Sequence, residues 1–260
     1  MVVAEKLLGL DPSSPPMTLL LVMLHTGTMF AVIVYFWKQW RDTYFENMAA
    51  FKKFAWLVIL ATILTGIIGE AIIKIIEKTA FRGAPHAEIE DLFRHLELIA
   101  PALAAAGILI VIAGLHDRRS AASKSDNLDN KQASIIGTVQ GLCLPFRGFS
   151  RSGATISAGM LAGVAKARAE TFSFALAVVL TPPVVAREAM RLVHAQHITA
   201  TAALASAVFP SLVGAVLAFF AGLLALKWLS RWLEHGQWYI FGVYCLAAAA
   251  AVGCLHYLGY

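Results

Sequence analysis

The chemistry this sequence can perform is concentrated in eight positions, which hold Gly148, Ser150, Arg151, Ser152, Gly153 and Thr155. Glycine admits sharp or positive-φ backbone and close ligand approach, so Gly148 and Gly153 suit a tight tip. Ser150 or Ser152 can cap a helix beginning near Gly153. The free amides and positive dipole end of such a helix attract anions. Arg151 adds a planar fork that matches phosphate oxygens. The hydroxyls of Ser150, Ser152 and Thr155 can bind phosphoryl oxygens or, beside a base, attack phosphorus. Together they read as a phosphate pocket. The competing reading is a structural bend: Gly159 and Gly163 suit close helix packing, and serines in membrane helices bond their own backbone. An arginine set between serines and glycines favours the pocket.

These residues need elements that hold them at depth. The segment 140–166 is apolar at both ends and polar in the middle. Neither flank reaches the ~20 apolar residues that cross a bilayer as a helix. The pattern predicts two short helices that enter the membrane and turn back, a re-entrant pair near 133–165. Non-helical backbone at that depth survives only where protein or a water-filled cavity surrounds it, and an arginine there marks a functional site.

The whole chain supports this setting. Of its 260 residues, 59% are hydrophobic and 14% charged, which excludes a soluble domain. The expected fold is an all-α polytopic membrane protein with about six transmembrane helices, the re-entrant pair and an inverted repeat. The net charge of +5 lies mostly in short loops, so it reflects membrane orientation and calls for no nucleic acid. Cys143, Cys245 and Cys254 lie in apolar segments without paired spacing and read as small packing residues. Residues 1–16 have no apolar core of the signal-peptide kind.

In chain order, a helix end at 1–10 meets the breaker DPSSPP at 11–16. Spans follow at 17–37, 54–73 and 98–115, then 172–186 across Pro182-Pro183, 202–226 and 238–257. A single integral membrane domain, 1–260, divides into a first repeat at 1–115, a polar connector at 116–132 and a second repeat at 133–260. If the first span enters from outside, the loops at 38–53, 116–131, 166–168 and 227–231 hold twelve Lys and Arg, against seven on the other side. This bias puts those loops in the cytoplasm. The repeat rests on Leu7, Gly9 and Leu10 matching Leu161, Gly163 and Val164 at an offset of 154, each copy having a short helix, a polar break and three spans. Inverted repeats place binding sites where broken helices meet near the midplane. The same offset places the partner of 150–155 at or before Met1.

The tip GFSRSGAT, with Gln140 upstream and ISAGMLAG after it, resembles the second signature of the bacterial undecaprenyl-diphosphate phosphatase, or bacitracin resistance protein, family. The likeness continues through ETFSFALAV at 170–178 and the opening segment, covering essentially the whole chain. It implies a multi-pass bacterial inner-membrane enzyme that removes the terminal phosphate of undecaprenyl diphosphate. That reaction recycles the lipid carrier of peptidoglycan synthesis at a site facing the periplasmic side. It also implies a divalent cation (Mg2+ or Ca2+), contact with membrane lipids and a possible homodimer. By position, Ser150, Arg151, Ser152 and Thr155 match the catalytic signature. Gln140, Gly148 and Gly153 match substrate-binding positions, and Arg147 is a further substrate-binding candidate, a second arginine that could strengthen the anion pocket or simply reach an interface. Arg147 stands where the family has proline. The family's Glu-x-x-x-Glu and Ser-Ser-Thr-Gly-His segment has no counterpart in the sequence as written, which suggests a late start codon or a truncation.

Other residues offer weaker substitutes. His25 reads as a hydrogen-bonded helix residue, and His86, His95, His194 and His197 as loop histidines. Glu70 and Glu97 lie near span ends and Glu188 flanks the fourth span, while Glu170 follows the tip helix closely and is explained as well by interfacial pairing with Arg168 or Lys166. Trp37, Trp40, Trp56, Trp228, Trp232 and Trp238 suit interface belts. Two further readings stand beside the phosphatase: a polyprenyl-phosphate transporter or flippase, since broken helices in inverted repeats are a transporter architecture, and an inactive truncated form.

Overall fold

A computed structural model describes residues 15–80, 96–119, 125–146, 148–199 and 201–257. They form eight helices: α1 Pro15–Tyr44, α2 Met48–Ala80, α3 Leu96–Arg119, α4 Asn130–Cys143, α5 Arg151–Leu161, α6 Lys166–Thr199, α7 Thr201–Glu234 and α8 Trp238–Tyr257. The helix expected at 1–10, Arg147, His86 and His95 lie outside the described residues, as do the side chains of Glu97, Glu188, His194 and His197.

Five helices, α1, α2, α3, α7 and α8, are long and apolar enough to cross a membrane. The expected sixth span belongs to α6, which continues unbroken through Pro182 and Pro183. Its apolar stretch is only the sixteen residues 171–186, bracketed by Lys166, Arg168 and Glu170 before and Arg187, Glu188 and Arg191 after. That is shorter than the ~20 residues a span needs.

The chain forms two compact units. The first comprises 1–45 and 174–229. In it α1 and α7 run parallel at close range: a Cβ on Gly27 would collide with the Ala215 carbonyl oxygen, and one on Gly222 would meet Ala31. Phe36 stacks on Phe174 with ring centroids 4.9 Å apart. His25 bonds the Leu21 carbonyl of its own helix through Nδ1, at 2.7 Å, as expected of an isolated helix histidine.

The second unit, 46–173 and 230–260, holds the tip. Here α4 runs along α2 with nothing between the backbones: a Cβ on Gly137 would lie 2.5 Å from the Ala61 oxygen, and one on Gly141 2.9 Å from the Thr65 oxygen. α3 and α8 are antiparallel, with Gly107 against the Gly242 carbonyl and Gly114 against Tyr239. Lipid gives helices no hydrophobic reason to pair, so small residues that bring backbones together decide which helices meet.

One end of this unit is tied by polar contacts. Ser125 exchanges backbone hydrogen bonds with Gly163 and Ala165, both at 3.0 Å. Lys166 pairs with Asp117 at 3.3 Å, and the Arg118 guanidinium lies over the Tyr239 ring. The basic segments around 116–131 and 166–168 therefore meet at this end.

Two expectations are corrected. Glu170 pairs with neither Arg168 nor Lys166: it is buried, and its Oε1 accepts a hydrogen bond from Ser230 at 2.5 Å, while Lys166 turns to Asp117. Trp238 and Trp40 are buried rather than belted at an interface, and Trp238 Nε1 donates to Ser157 Oγ at 2.9 Å. Trp37, Trp56 and Trp228 are exposed as a belt requires. Within the polar connector, Asp129 caps α4. Its carboxylate accepts from the Gln132 amide while the Gln132 side chain accepts from the Asp129 amide, a reciprocal capping box.

Candidate functional site

The tip lies between two short helices. α4 carries the chain inward over 14 residues and α5 carries it back over 11, so at 1.5 Å per residue each is only about 16–21 Å long. Gly148 adopts φ +95°, a conformation that favours glycine. Ser150 then caps α5, its Oγ accepting from the Gly153 amide at 3.3 Å. The cap is Ser150 and not Ser152, and the helix starts at Arg151, two residues earlier than Gly153. At the far end Gly163, at φ +83°, ends the turn that closes α5.

Two glycine contacts set the level of the tip in the unit. A Cβ on Gly148 would meet Ile99 Cγ2 at 2.7 Å, and one on Gly153 would meet Ile110 Cδ1 at 2.5 Å. Ile99 and Ile110 lie on α3, whose apolar span is Ile99–Arg119. Ile110 is therefore near the middle of that span, and Gly148 stands about 16 Å away, at its Ile99 end. The N-terminus of α5 opens at mid-span and the tip loop runs towards the end of the unit opposite the basic loops.

Arg151 is half-buried at this N-terminus, and its side chain makes no hydrogen bond or ion pair among the described residues. Cys143 on α4 is the ionisable group within electrostatic reach of it. The first amides of a helix have no intrahelical partner, so those of Arg151 and Ser152 face outward beside the guanidinium. The Ser152 hydroxyl makes no hydrogen bond among the described residues, and the Ser150 hydroxyl proton is free while its oxygen caps Gly153. Ser150, Arg151, Ser152, Gly148 and Gly153 thus come together at one helix N-terminus, where N–H and O–H donors lie beside a guanidinium.

Thr155 and Gln140 stand behind it. Thr155 is fully buried; its hydroxyl reaches the Arg151 and Ser152 carbonyls and shares a hydrogen bond with Ser173 on α6. Its observed contacts tie α5 to α6. Gln140 is likewise fully buried and bonds Thr65 on α2. Ser173, Thr65 and Ser157 were not legible as site supports, because a single hydroxyl in an apolar helix gives no periodic signal.

Among the described residues, no group of three His, Cys, Asp or Glu could hold a metal ion. The tip's hydroxyls and guanidinium do not make the oxygen-rich, anionic ligand set a hard divalent cation takes.

The chain as a whole is similar to proteins of one family. The family model described as "Bacitracin resistance protein BacA" matches residues 1–251. A protein of Acinetobacter baylyi named "Undecaprenyl-diphosphatase 2" is 56% identical over 254 residues, covering 96% of this chain and 88% of that one. A Burkholderia orbicola "Undecaprenyl-diphosphatase 2" is 32% identical, covering 95% and 83%. A Burkholderia pseudomallei "Undecaprenyl-diphosphatase 1" is 33% identical, covering 92% and 81%.

Proposed function

Because the chain belongs to the bacitracin resistance protein BacA family, we infer that it is an undecaprenyl-diphosphate phosphatase. It is a membrane hydrolase that cuts the terminal phosphate from undecaprenyl diphosphate, and its activity underlies bacitracin resistance. The observation that carries this reading is the Arg151 guanidinium: half-buried, without a carboxylate partner among the described residues, beside the open amides of α5.

The terminal phosphate sits against the Arg151 fork and the amides of Arg151 and Ser152. The hydroxyls of Ser150 and Ser152 donate to its remaining oxygens. Gly148 and Gly153 let the backbone approach, and Thr155 holds the N-terminus of α5 from behind through Ser173. Arg147 adds a second cation from sequence alone. Phosphoryl transfer needs positioning and charge stabilisation more than covalent chemistry, and donors fixed in a dry site supply both without reorganising. The divalent cation is a proposal from the family resemblance. The described residues do not fit it, so no step is routed through it; loss of turnover on chelation and its return on adding Mg2+ or Ca2+ would test it.

The site is placed on the outward-facing side of the inner membrane. Support comes from the basic residues of 116–131 and 166–168, which meet at the end of the second unit away from Gly148, since cytoplasmic loops are the basic ones.

The test is phosphate release from a polyprenyl diphosphate by the purified protein in detergent, where no second compartment exists for transport. Arg151→Ala should lower kcat by about 10²–10³, the cost of removing one preorganised charge donor. Unchanged turnover would remove Arg151 from the mechanism.

A further inference from the structure

Behind the anion site is a polar node that phosphate binding does not explain. Thr65 and Gln140 are buried to 2% and 0% exposure. Thr65 has one hydroxyl proton and directs it to backbone carbonyls, Ala61 on its own helix at 2.8 Å and Gly137 on α4 at 2.9 Å. Towards Gln140 it can therefore only accept. The Gln140 amide nitrogen must be the atom facing it, at 3.2 Å. This proton count fixes an amide orientation that heavy atoms alone leave ambiguous. The other amide atom, Gln140 Oε1, is buried with no donor among the described residues. A buried acceptor left bare is costly, so a donor from outside the chain is its natural complement.

The position of Gln140 indicates which donor. Ile136, Gln140 and Cys143 share one stripe of α4, at i, i+4 and i+7. Ile136 packs against Gly159 of α5, and Cys143 lies within electrostatic reach of Arg151. The stripe thus faces α5 and runs antiparallel to it. Gln140 lies about one turn, ~5 Å, further into the unit than the level of Arg151. A diphosphate that enters from the Gly148 end and docks its terminal phosphate on Arg151 has its bridging oxygen outward. In-line displacement then places the attacking oxygen on the inward face, where Gln140 stands.

We propose that Gln140 Oε1 holds and orients the attacking water, and that Thr65 is the positioning residue that fixes its amide. The inference rests on the phosphatase reading. In the step, the water oxygen bonds to the terminal phosphorus, and the bridging P–O bond breaks with its electron pair leaving on the polyprenyl phosphate. One of the water's protons stays on its oxygen and the other moves to a phosphate oxygen, so both leave with the released inorganic phosphate. Gln140 accepts a hydrogen bond and takes no proton; Arg151 and the amides carry the charge, and Gln140 sets the angle of attack.

Four single variants of the full-length protein in detergent test this through kcat, KM, the pH profile and the thermal midpoint. Gln140→Met, matched in length, should lower kcat about 100-fold with KM within about two-fold. Thr65→Val should lower kcat about ten-fold by releasing the amide, while Thr65→Ser, which keeps the hydroxyl, should retain at least about half the rate. Gln140→Glu keeps an acceptor in place and should add an acid limb to the pH profile as the new carboxyl titrates, which a purely structural glutamine would not do. The proposal is overturned if Gln140→Met leaves kcat unchanged or if Thr65→Ser is as damaging as Thr65→Val. It is also overturned if kcat falls only in step with the thermal midpoint, or if Gln140→Glu leaves the pH profile unaltered. A wild-type protein that releases no phosphate would sink the phosphatase reading itself, a result distinct from all of these.

Discussion

Gly148→Ala tests whether the tip's geometry, and not merely its residue content, carries the activity. The substitution meets two separate obstacles. At φ +95° the left-handed conformation costs an L-residue about 1–2 kcal/mol. The new Cβ would also lie 2.7 Å from Ile99 Cγ2 and 2.9 Å from the Ile99 carbonyl oxygen. The methyl can rotate away, but a backbone oxygen inside a helix cannot, so overpacking adds about 1–3 kcal/mol. The total of about 2–5 kcal/mol need not unfold the protein, because the loop can move off α3 instead. That movement is what damages function: a displacement of ~1 Å at a positioning element can cost about 10²-fold in rate.

The assay is phosphate release together with the thermal midpoint, with Gly163→Ala as control. Gly163 has a similar positive φ, +83°, but open space where its Cβ would be. It should show only the conformational cost of about 1–2 kcal/mol and keep most of the turnover. Adding Ile99→Ala to Gly148→Ala removes the Cγ2 contact but neither the carbonyl contact nor the φ strain, so the rate should return in part. If Gly148→Ala turns over like the wild type, the argument that Ile99 fixes the tip is wrong. If both alanine variants lose activity equally, the close approach contributes nothing beyond backbone conformation.

Two further substitutions probe the supports. Thr155→Val leaves the buried Ser173 hydroxyl without its partner and should cost about 1–3 kcal/mol, read as a lower thermal midpoint; stability equal to wild type would show that the α5–α6 tie contributes nothing. Gly137→Ala would put a Cβ 2.5–2.9 Å from the Ala61 backbone and should force α2 and α4 apart at about 1–3 kcal/mol, visible as easier thermal unfolding and lower turnover together; an unperturbed protein would show that this helix contact is looser than its geometry.

The sequence made the helices and the tip legible because hydropathy and helix punctuation are local. Arg151 between two serines, with glycines in phase, pointed to a helix N-terminus beside a guanidinium, and the cap needed only a choice between Ser150 and Ser152. Pairing between helices was less legible. Nothing in a hydropathy profile says that 1–45 forms a unit with 174–229, since lipid is as apolar as leucine and the decision falls to Gly27 against Ala215 or Gly222 against Ala31. Partner choice among polar side chains was misread for the same reason. Proximity in sequence suggested Lys166 or Arg168 for Glu170, but the fold brings Ser230 from sixty residues away and gives Lys166 to Asp117. Trp238, an interface residue by composition, is drawn inward because Ser157 offers its indole N–H an acceptor.

On the proposed reading, the lack of a partner for the Arg151 guanidinium among the described residues is what makes the arrangement useful for hydrolysis. A carboxylate beside it would satisfy the guanidinium, and breaking a buried ion pair costs about 3–5 kcal/mol. A phosphate would have to overcome that cost before gaining anything from the site. Left without a partner, the guanidinium has its whole electrostatic interaction available for the charge that develops during phosphoryl transfer. The protein must then hold an unstable group in place by other means. The described residues supply those means behind the tip: Ser150 capping α5, Thr155 tied to Ser173, and α4 pressed without side chains against α2. A site stabilised by its own counter-ion would be more stable and a poorer catalyst, so the rigidity has to come from neutral contacts, and in this structure it does.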